Sequence, residues 1–530
     1  MKTYYITTAI DYTNAPPHIG HAYEKVLADT LARYQRLAGR SVYFLTGVDQ
    51  HGQKVQQSAE KKGIEPAEYV AGVTELFKQM LVELQISNDG WAETTDTRHK
   101  SVVQRMLQKL HDEGQIYKRV YSGFYSVRAE QFLTDKERGP DGEFGPEWGE
   151  VVELEEENYY FRLSAHVSWL QAFVESHEDF VFPANRRHEV IRALEKSEGN
   201  DLCISRPKSR LTWGIELPFD TNFVNFVWFD ALVNYLSFAG YLKAPDSDLP
   251  DFDSLWPCDA HVIGKDIMAP PHAIYWPIML HALGFTDDQI PKLLVHGWWN
   301  MRGEKMSKSL GNVVDPGVRA RVFGVDALRY YLMRDMTTGN DADFSDARLL
   351  QANNKDLAND LGNLFNRGLS MTMTYRDGVL RSDAPYDDDL NRALREQTAA
   401  SLAEFQEKMS AYAIHDAIAA VWKLVSLSNQ YVEQTTPWKL KKDPDQADRL
   451  DTVLYHLTES CAHLSVLLSP IIPGGAQRMA AQLGLPYLLD LHLNNLHWGL
   501  VPNGHTVAKP TPIFPRLDMQ VDEHGVPDVK

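Results

Sequence analysis

At 530 residues, with 44% hydrophobic and 24% charged residues, the chain is too long for one compact core and implies about three domains. A formal net charge of −19 excludes a protein that coats nucleic acid nonspecifically, though not one with a locally basic face. No apolar stretch reaches membrane-spanning length and the N-terminus is no secretory signal. The three scattered cysteines, Cys203, Cys258 and Cys461, make no disulfide framework, so a cytoplasmic location is expected.

Tyr4-Tyr5-Ile6-Thr7-Thr8-Ala9-Ile10 is β-branched and aromatic and reads as a buried strand. Asn14-Ala15-Pro16-Pro17 breaks it, with Pro17 placed where the first turn of a helix tolerates proline. The helix continues through Ala22, Val26, Leu27, Leu31, Tyr34 and Leu37, with Gly39 as its C-cap. Ser41-Val42-Tyr43-Phe44-Leu45 starts a second strand ending near Asp49, which completes a parallel strand–helix–strand unit. His18 and His21 are three apart and share one face of the helix's first turn, where free N–H groups and the helix dipole favour phosphate. Gly20 offers no Cβ, so a flat adenine could lie on the backbone there. Taken alone, His-x-Gly-His is equally well a pair of surface histidines.

Residues 1–116 thus read as the first half of a nucleotide-binding α/β fold. An insertion of short strands and acidic turns is expected over 117–227, and the second half over 228–300. Within 301–346, Gly303-Glu304-Lys305-Met306-Ser307-Lys308-Ser309-Leu310-Gly311-Asn312 is glycine-bounded, polar and lysine-bearing, hence a mobile loop. A solvated basic turn would explain it in isolation. Paired with His18 and His21, it points to a site that activates a carboxylate with ATP. Helical periodicity through Leu357, Leu361, Leu364, Ala413, Ile414, Ala417, Val421, Val453, Leu457 and Leu464 predicts a bundle over 347–500. A C-terminal extension over 501–530 is expected to be loosely ordered beyond Leu517.

These segments resemble class I aminoacyl-tRNA synthetases, specifically the methionyl-tRNA synthetase family. The likeness runs from Tyr4 to about Leu517. It includes Ala9-Ile10-Asp11-Tyr12-Thr13-Asn14, Gly47-Val48-Asp49-Gln50-His51-Gly52, Val227-Trp228-Phe229-Asp230-Ala231, His261-Val262-Ile263-Gly264-Lys265-Asp266-Ile267, His296-Gly297-Trp298 and Lys509-Pro510-Thr511-Pro512-Ile513-Phe514-Pro515-Arg516-Leu517. The resemblance implies a Rossmann-like parallel-sheet catalytic domain, an inserted connective domain and an all-α anticodon-binding helix bundle. It further implies a methionine–tRNA ligase that uses ATP with Mg²⁺ to form methionyl-adenylate, then loads the 3′-terminal ribose of tRNA(Met), initiator tRNA included.

By the same resemblance, His18, His21, Lys305 and Lys308 are catalytic, and Gly20, Gly264 and Asp266 join the lysines in binding ATP. Ile10, Tyr12, Asp49, Trp228, Ala231, Tyr235, Ile267 and His272 form the methionine pocket, with Asp49 on the ammonium group. Sulfur–ring contacts of about 0.3–1.5 kcal/mol favour a thioether in such a cavity. A Tyr or His donor near the sulfur would disfavour aliphatic competitors. An apolar pocket rejects a side chain one methylene shorter by only about 1–3 kcal/mol, so homocysteine is expected to be a problem substrate. Asn363, Arg367 and Trp438 are the anticodon-reading group. Further phosphate contacts are expected from Arg186-Arg187-His188 or Lys439-Leu440-Lys441-Lys442. A monomer is expected.

Three departures from the family pattern stand out. Where many members carry zinc-binding Cys-x-x-Cys pairs, this chain has Ser126 and Ala129, so no structural zinc is expected and packing around Tyr125 and Trp148 should replace it. Ile267-Met268-Ala269-Pro270-Pro271 is one residue longer than usual before His272, which reshapes that turn. Leu232 stands where some members have proline. The nearest rival reading is another class I synthetase for an aliphatic or sulfur amino acid. Against it, the insertion is short for an editing domain. A nucleotidylyltransferase-like or tRNA-binding protein without ligase activity is a further alternative, opposed by the intact lysine loop.

Overall fold

The computed structural model describes residues 2–127, 131–133, 137–139, 141–197, 200–225, 227–306 and 312–519. Its centre is a parallel sheet of β1 (Tyr4–Thr8), β2 (Asp11–Tyr12), β3 (Val42–Asp49), β4 (Gly90–Glu93), β5 (Val181–Phe182), β6 (Ala260–Gly264) and β7 (Leu293–His296). The hydrogen-bonded path is β2–β3–β1–β6–β7–β5, with β4 also paired to β3. Every pair is parallel, and β1, β6 and β7 are buried along their full length. That burial follows from packing on both faces, which also explains why these strands read as apolar runs without alternation. One apolar cluster, containing α1 (Ile19–Leu37), runs on into the C-terminal helices; the second covers the other face. Strand order reverses between β1 and β6, so a ligand cleft belongs at their C-terminal ends.

Two expected boundaries shift. Pro17 lies outside α1, because His18 is the N-cap. The segment 117–227 is not a separate insertion throughout. Ile116–Ser126 and Val151–Phe161 pair antiparallel in a separate four-stranded sheet, but β5 within the same segment pairs with β7. A two-residue strand carries no periodicity, so the sequence pattern passes over it.

The C-terminal helices are α5 (Val325–Asp335), α6 (Asn363–Arg376), α7 (Asp389–Ser410), α8 (Ile414–Thr435), α9 (Pro437–Leu440), α10 (Ala447–Leu467) and α11 (Pro473–Leu483), numbered after α2 (Pro66–Glu83), α3 (Thr97–Asp112) and α4 (Val227–Ala231). The extension packs on this bundle as far as it is described: Val501, Val507, Ile513 and Phe514 are buried, and Asn354 exchanges two 2.8 Å hydrogen bonds with the Leu517 backbone. Residues 520–530 lie outside the described residues. Among the described residues no helix is long and apolar enough to cross a membrane.

One ion pair ties the bundle to α1. Arg329 and Asp29 both have fully buried side chains, 2.7 Å apart. The Arg329 guanidinium also donates to the carbonyls of Leu84, Pro470 and Ile471. Asp29 Oδ1 accepts from the Ser87 amide and hydroxyl. Every charge is answered, so the pair fixes geometry without stranding a desolvated group.

A second buried constellation pins α4 beside the C-terminal end of β3. Asp230 accepts from His51 Nδ1 at 2.6 Å and from His99 Nε2 of α3 at 2.8 Å. Burial pushes its carboxyl up, but the two imidazoles overcome that and hold it at about 2.

Replacing Arg329 by Met should destabilise the protein by about 3–5 kcal/mol, because Asp29 keeps its burial and loses its main partner. A thermal melt unchanged from the parent would contradict this. Asp230 has a folded pKa below its unfolded value, so its stabilisation is full above about pH 4 and is lost as pH falls toward about 2, by about 2–3 kcal/mol. Asp230→Asn should therefore flatten the acid limb of stability against pH; an unaltered limb would show that the carboxylate is not the titrating group.

Candidate active site

The first turn of α1 is capped by its own two histidines. His18 Nδ1 accepts from the Gly20 amide at 3.1 Å, and His21 Nδ1 accepts from the His18 amide at 3.1 Å. An imidazole nitrogen that accepts carries no proton, so in both neutral rings the hydrogen sits on Nε2. The rings stack at 3.9 Å. Gly20 matters for a further reason that the sequence did not suggest: a Cβ there would lie 2.9 Å from His18 Cε1, so the missing side chain makes room for the histidine. The Ile19 amide donates to the Val314 carbonyl, which ties the start of α1 to the chain just beyond the lysine segment.

A cavity of about 1010 Å³ opens beside this turn. It is lined by His18, Gly20, His21, Gly264, Asp266 and Lys305, and also by Ile10, Tyr12, Asp49, Trp228, Ala231, Tyr235, Ile267 and His272. All the residues expected to bind ATP and methionine therefore converge, except Lys308, which lies outside the described residues. The volume is at the upper end of the range of about 300–1,000 Å³ usual for small-molecule sites.

On the methionine side, the longer turn before His272 is kinked at Ala269, whose backbone leaves helical geometry (φ −120, ψ 128) before helix resumes toward Tyr275. His272 is thereby delivered to Tyr235, with Tyr235 Oη 2.8 Å from Nε2, while Nδ1 lies 2.8 Å from the Ile267 carbonyl. The carbonyl can only accept, so Nδ1 carries the proton and the tyrosine hydroxyl donates to Nε2. Burial lowers the imidazole to about 4, which keeps it neutral. The expected donor toward sulfur is corrected here: both protons of the pair are used within the protein. Asp49 is 5% exposed at the end of β3, with the His51 amide 3.3 Å from its carboxylate.

Behind the cavity-lining Asp11 and Glu24 lies a cation that the sequence does not single out. Lys25 is fully buried and donates to Asp11 Oδ1, Glu24 Oε1 and the Ala9 carbonyl at 2.9, 2.8 and 3.0 Å. His296 Nε2 lies 3.0 Å from Glu24 Oε2, and His21 Nε2 lies 4.0 Å from Asp11 Oδ1. One ammonium faces two carboxylates that titrate apart. Burial drives Asp11 up to about 7 against the pull of Lys25, whereas Lys25 and His296 outweigh burial at Glu24 and hold it at about 2. Lys25 thus bridges Asp11 and Glu24, one ammonium between two buried carboxylates. Inside α1, Glu24 and Lys25 follow no apolar period, so only the fold reveals them.

Around Tyr125 and Ser126 the described side chains are engaged within the protein itself. Tyr125 is fully buried with the Arg210 guanidinium 4.0 Å over its ring, and the Ser126 hydroxyl donates to the Trp148 carbonyl at 2.5 Å. Ala129 lies outside the described residues. Among the described residues no cluster of three His, Cys, Asp or Glu is placed to hold a metal ion.

Asn363 and Arg367 lie on α6, and Arg367 sits 6.0 Å from the ring of Trp438 on α9 while pairing with Glu433 at 2.6 Å. Thr436, at φ +47, makes the break that presents Trp438, which is partly exposed beside exposed Lys439, Lys441 and Lys442. The other basic patch is used internally: Arg186 pairs with Glu189 and caps the Gly339 carbonyl, and Arg187 donates to the carbonyls of Val174 and Glu175.

Two family profiles match the chain. That of class I tRNA synthetases (M) covers residues 4–141 and 148–369, and that of the anticodon-binding domain of methionyl tRNA ligase covers 384–524. A methionine–tRNA ligase of Caldanaerobacter subterraneus subsp. tengcongensis is 42% identical over 523 residues, 98% of this chain and 80% of the relative. One from Lactiplantibacillus plantarum is 40% identical over 98% of this chain and 77% of its own length. The crystal structure of Mycobacterium tuberculosis methionyl-tRNA synthetase bound by methionyl-adenylate superposes with a TM-score of 0.89 at 37% identity, covering 97% of this chain and all of that one. Its apo form gives 0.84 at 35% identity, covering 98% and 99%. Profiles spanning nearly the whole sequence, and relatives near 40% identity along it, establish that the chain belongs to the methionyl-tRNA synthetase family of class I aminoacyl-tRNA synthetases.

Proposed function

We propose that this chain activates L-methionine with ATP, supplied as its magnesium complex, and transfers the methionyl group to the 3′-terminal ribose of tRNA(Met), initiator tRNA included. The observation that carries the reading is the single cavity lined at once by the α1 imidazoles, Lys305 and the aromatic pocket around Tyr235 and His272. Adenylate formation is attack of an ionised carboxylate on the α-phosphorus with loss of pyrophosphate. The nucleophile needs no base; alignment and neutralisation of growing phosphate charge are what remain. His18 and His21 offer Nε2–H donors at a helix start where anions are already favoured. Lys305 and Lys308 bring the countercharge. Asp49 receives the methionine ammonium, Ile10, Tyr12, Trp228, Ala231 and Ile267 surround the side chain, and Gly264 and Asp266 line the adenosine.

In this reading the sulfur meets the Tyr235–His272 pair with its protons already spent. Selectivity over aliphatic competitors then comes from shape and sulfur–ring contact rather than from a donated hydrogen bond. Asn363, Arg367 and Trp438 read the anticodon, with an unpaired base stacked on the indole for about 1–3 kcal/mol. The adjoining lysines 439, 441 and 442 supply phosphate contacts. The protein acts as a monomer without a structural zinc.

ATP–pyrophosphate exchange across all amino acids tests the assignment: methionine should drive exchange far above any other, with homocysteine next, and exchange led by another amino acid would overturn it. Trp438→Ala should depress tRNA charging about five- to 150-fold while exchange stays near the parent rate. Equal loss in the two assays would make the indole a structural residue.

A further inference from the structure

We propose that Trp298 is a positioning residue that seats the Lys305 ammonium before ATP arrives and so sets how readily that lysine is released to the phosphates. The inference rests on the reading of Lys305 as a phosphate-binding group. Lys305 Nζ lies 3.9 Å from the centre of the Trp298 ring and 3.6 Å from Asp266 Oδ2. A second ammonium, that of Lys265, lies 4.0 Å from the same ring and 2.6 Å from Asp341 Oδ2. One indole thus serves two lysines, each with a carboxylate of its own.

The seat is rigid on one side and open on the other. Asp341 Oδ1 accepts from the Trp298 amide at 2.9 Å, so one carboxylate holds both the backbone of the indole and the Lys265 ammonium. Gly297 lets the two segments meet, since a Cβ there would stand 2.0 Å from the Asn340 carbonyl oxygen. The strand Trp299–Met301 following the indole pairs with Ala342–Asp343 and, through Asn300, with Lys305 itself. Lys265 is 19% exposed and Lys305 56%. The ring and Lys265 belong to the fixed floor, whereas Lys305 rests on it from solvent, on the strand that leads into the lysine segment.

An ammonium over an indole and facing the Asp266 carboxylate is not on a triphosphate. Contacts made only in the free enzyme must be broken on binding, so they weaken the ligand by their own worth. A solvent-exposed cation–π contact corresponds to about a two- to fivefold change in an equilibrium constant. The seat keeps the lysine from wandering, at a modest cost in ATP affinity.

The test is exchange kinetics at saturating methionine. Trp298→Leu should lower KM for ATP about two- to fivefold, and Trp298→Phe should restore part of the parent value. In a Lys305→Ala background the Trp298→Leu change should leave KM for ATP unmoved. A rise in KM, or the same shift with and without Lys305, would overturn the proposal and make the indole a plain wall of the cavity. If Lys305→Ala alone left exchange untouched, the reading of that lysine would fail and the seat with it. A Trp298→Leu variant with lost folding is recognised by its thermal melt, and Trp298→Phe then decides.

Discussion

The amides of His18 and Gly20 at the start of α1 can find no partner within their own helix, and two imidazole nitrogens take them. That capping decides the tautomer of both rings, because a nitrogen that accepts from the backbone cannot also hold a proton. The protons are left on Nε2 at a helix terminus whose dipole favours anions. Gly20 follows from the same constraint, since any Cβ would collide with the His18 ring. The capping bonds only help if the helix is held still, and its middle is gripped by the buried Asp29–Arg329 pair. Arg329 also holds Pro470 and Ile471 of the bundle, so the helix that carries the imidazoles is bonded to the domain that carries the anticodon-binding profile.

The methionine side is organised by buried hydrogen bonds that end within the protein. Asp230 draws His51 and His99 together and so fixes α4, with Trp228 and Ala231, against the end of β3 where Asp49 lies. Tyr235 and His272 close on one another and on Ile267. In the proposed reading, a pocket whose Tyr235 and His272 protons end within the protein selects by shape and polarizable contact. That is consistent with a limited power to reject a slightly shorter thiol.

Much of this was legible from residue order. Tyr4–Thr8, the α1 stripe and Val42–Asp49 announce a parallel unit by periodicity, and the expected meeting of the histidine and lysine segments is seen in the cavity that His18, His21 and Lys305 share. What escaped has a common cause: it depends on contacts between residues far apart in sequence or on departures from a regular period. The Lys25 network lies within a helix but faces Asp11, and Asp230 meets histidines 131 and 179 positions away. The extra residue before His272 was visible, but the kink at Ala269 that takes it up was not. β5 is too short to show alternation, and Arg186 and Arg187 look like a phosphate patch until their carbonyl partners are seen.

The central claim is spatial: imidazoles at one end of the chain and ammonium groups from the lysine segment serve one triphosphate. A crystal structure with methionine and a non-hydrolysable ATP analogue tests it most directly. The account predicts the phosphates within about 3 Å of Nε2 of His18 or His21, with the Lys305 ammonium lifted from Trp298 onto them. A triphosphate bound elsewhere, or bound here with Lys305 still over the indole, would contradict it.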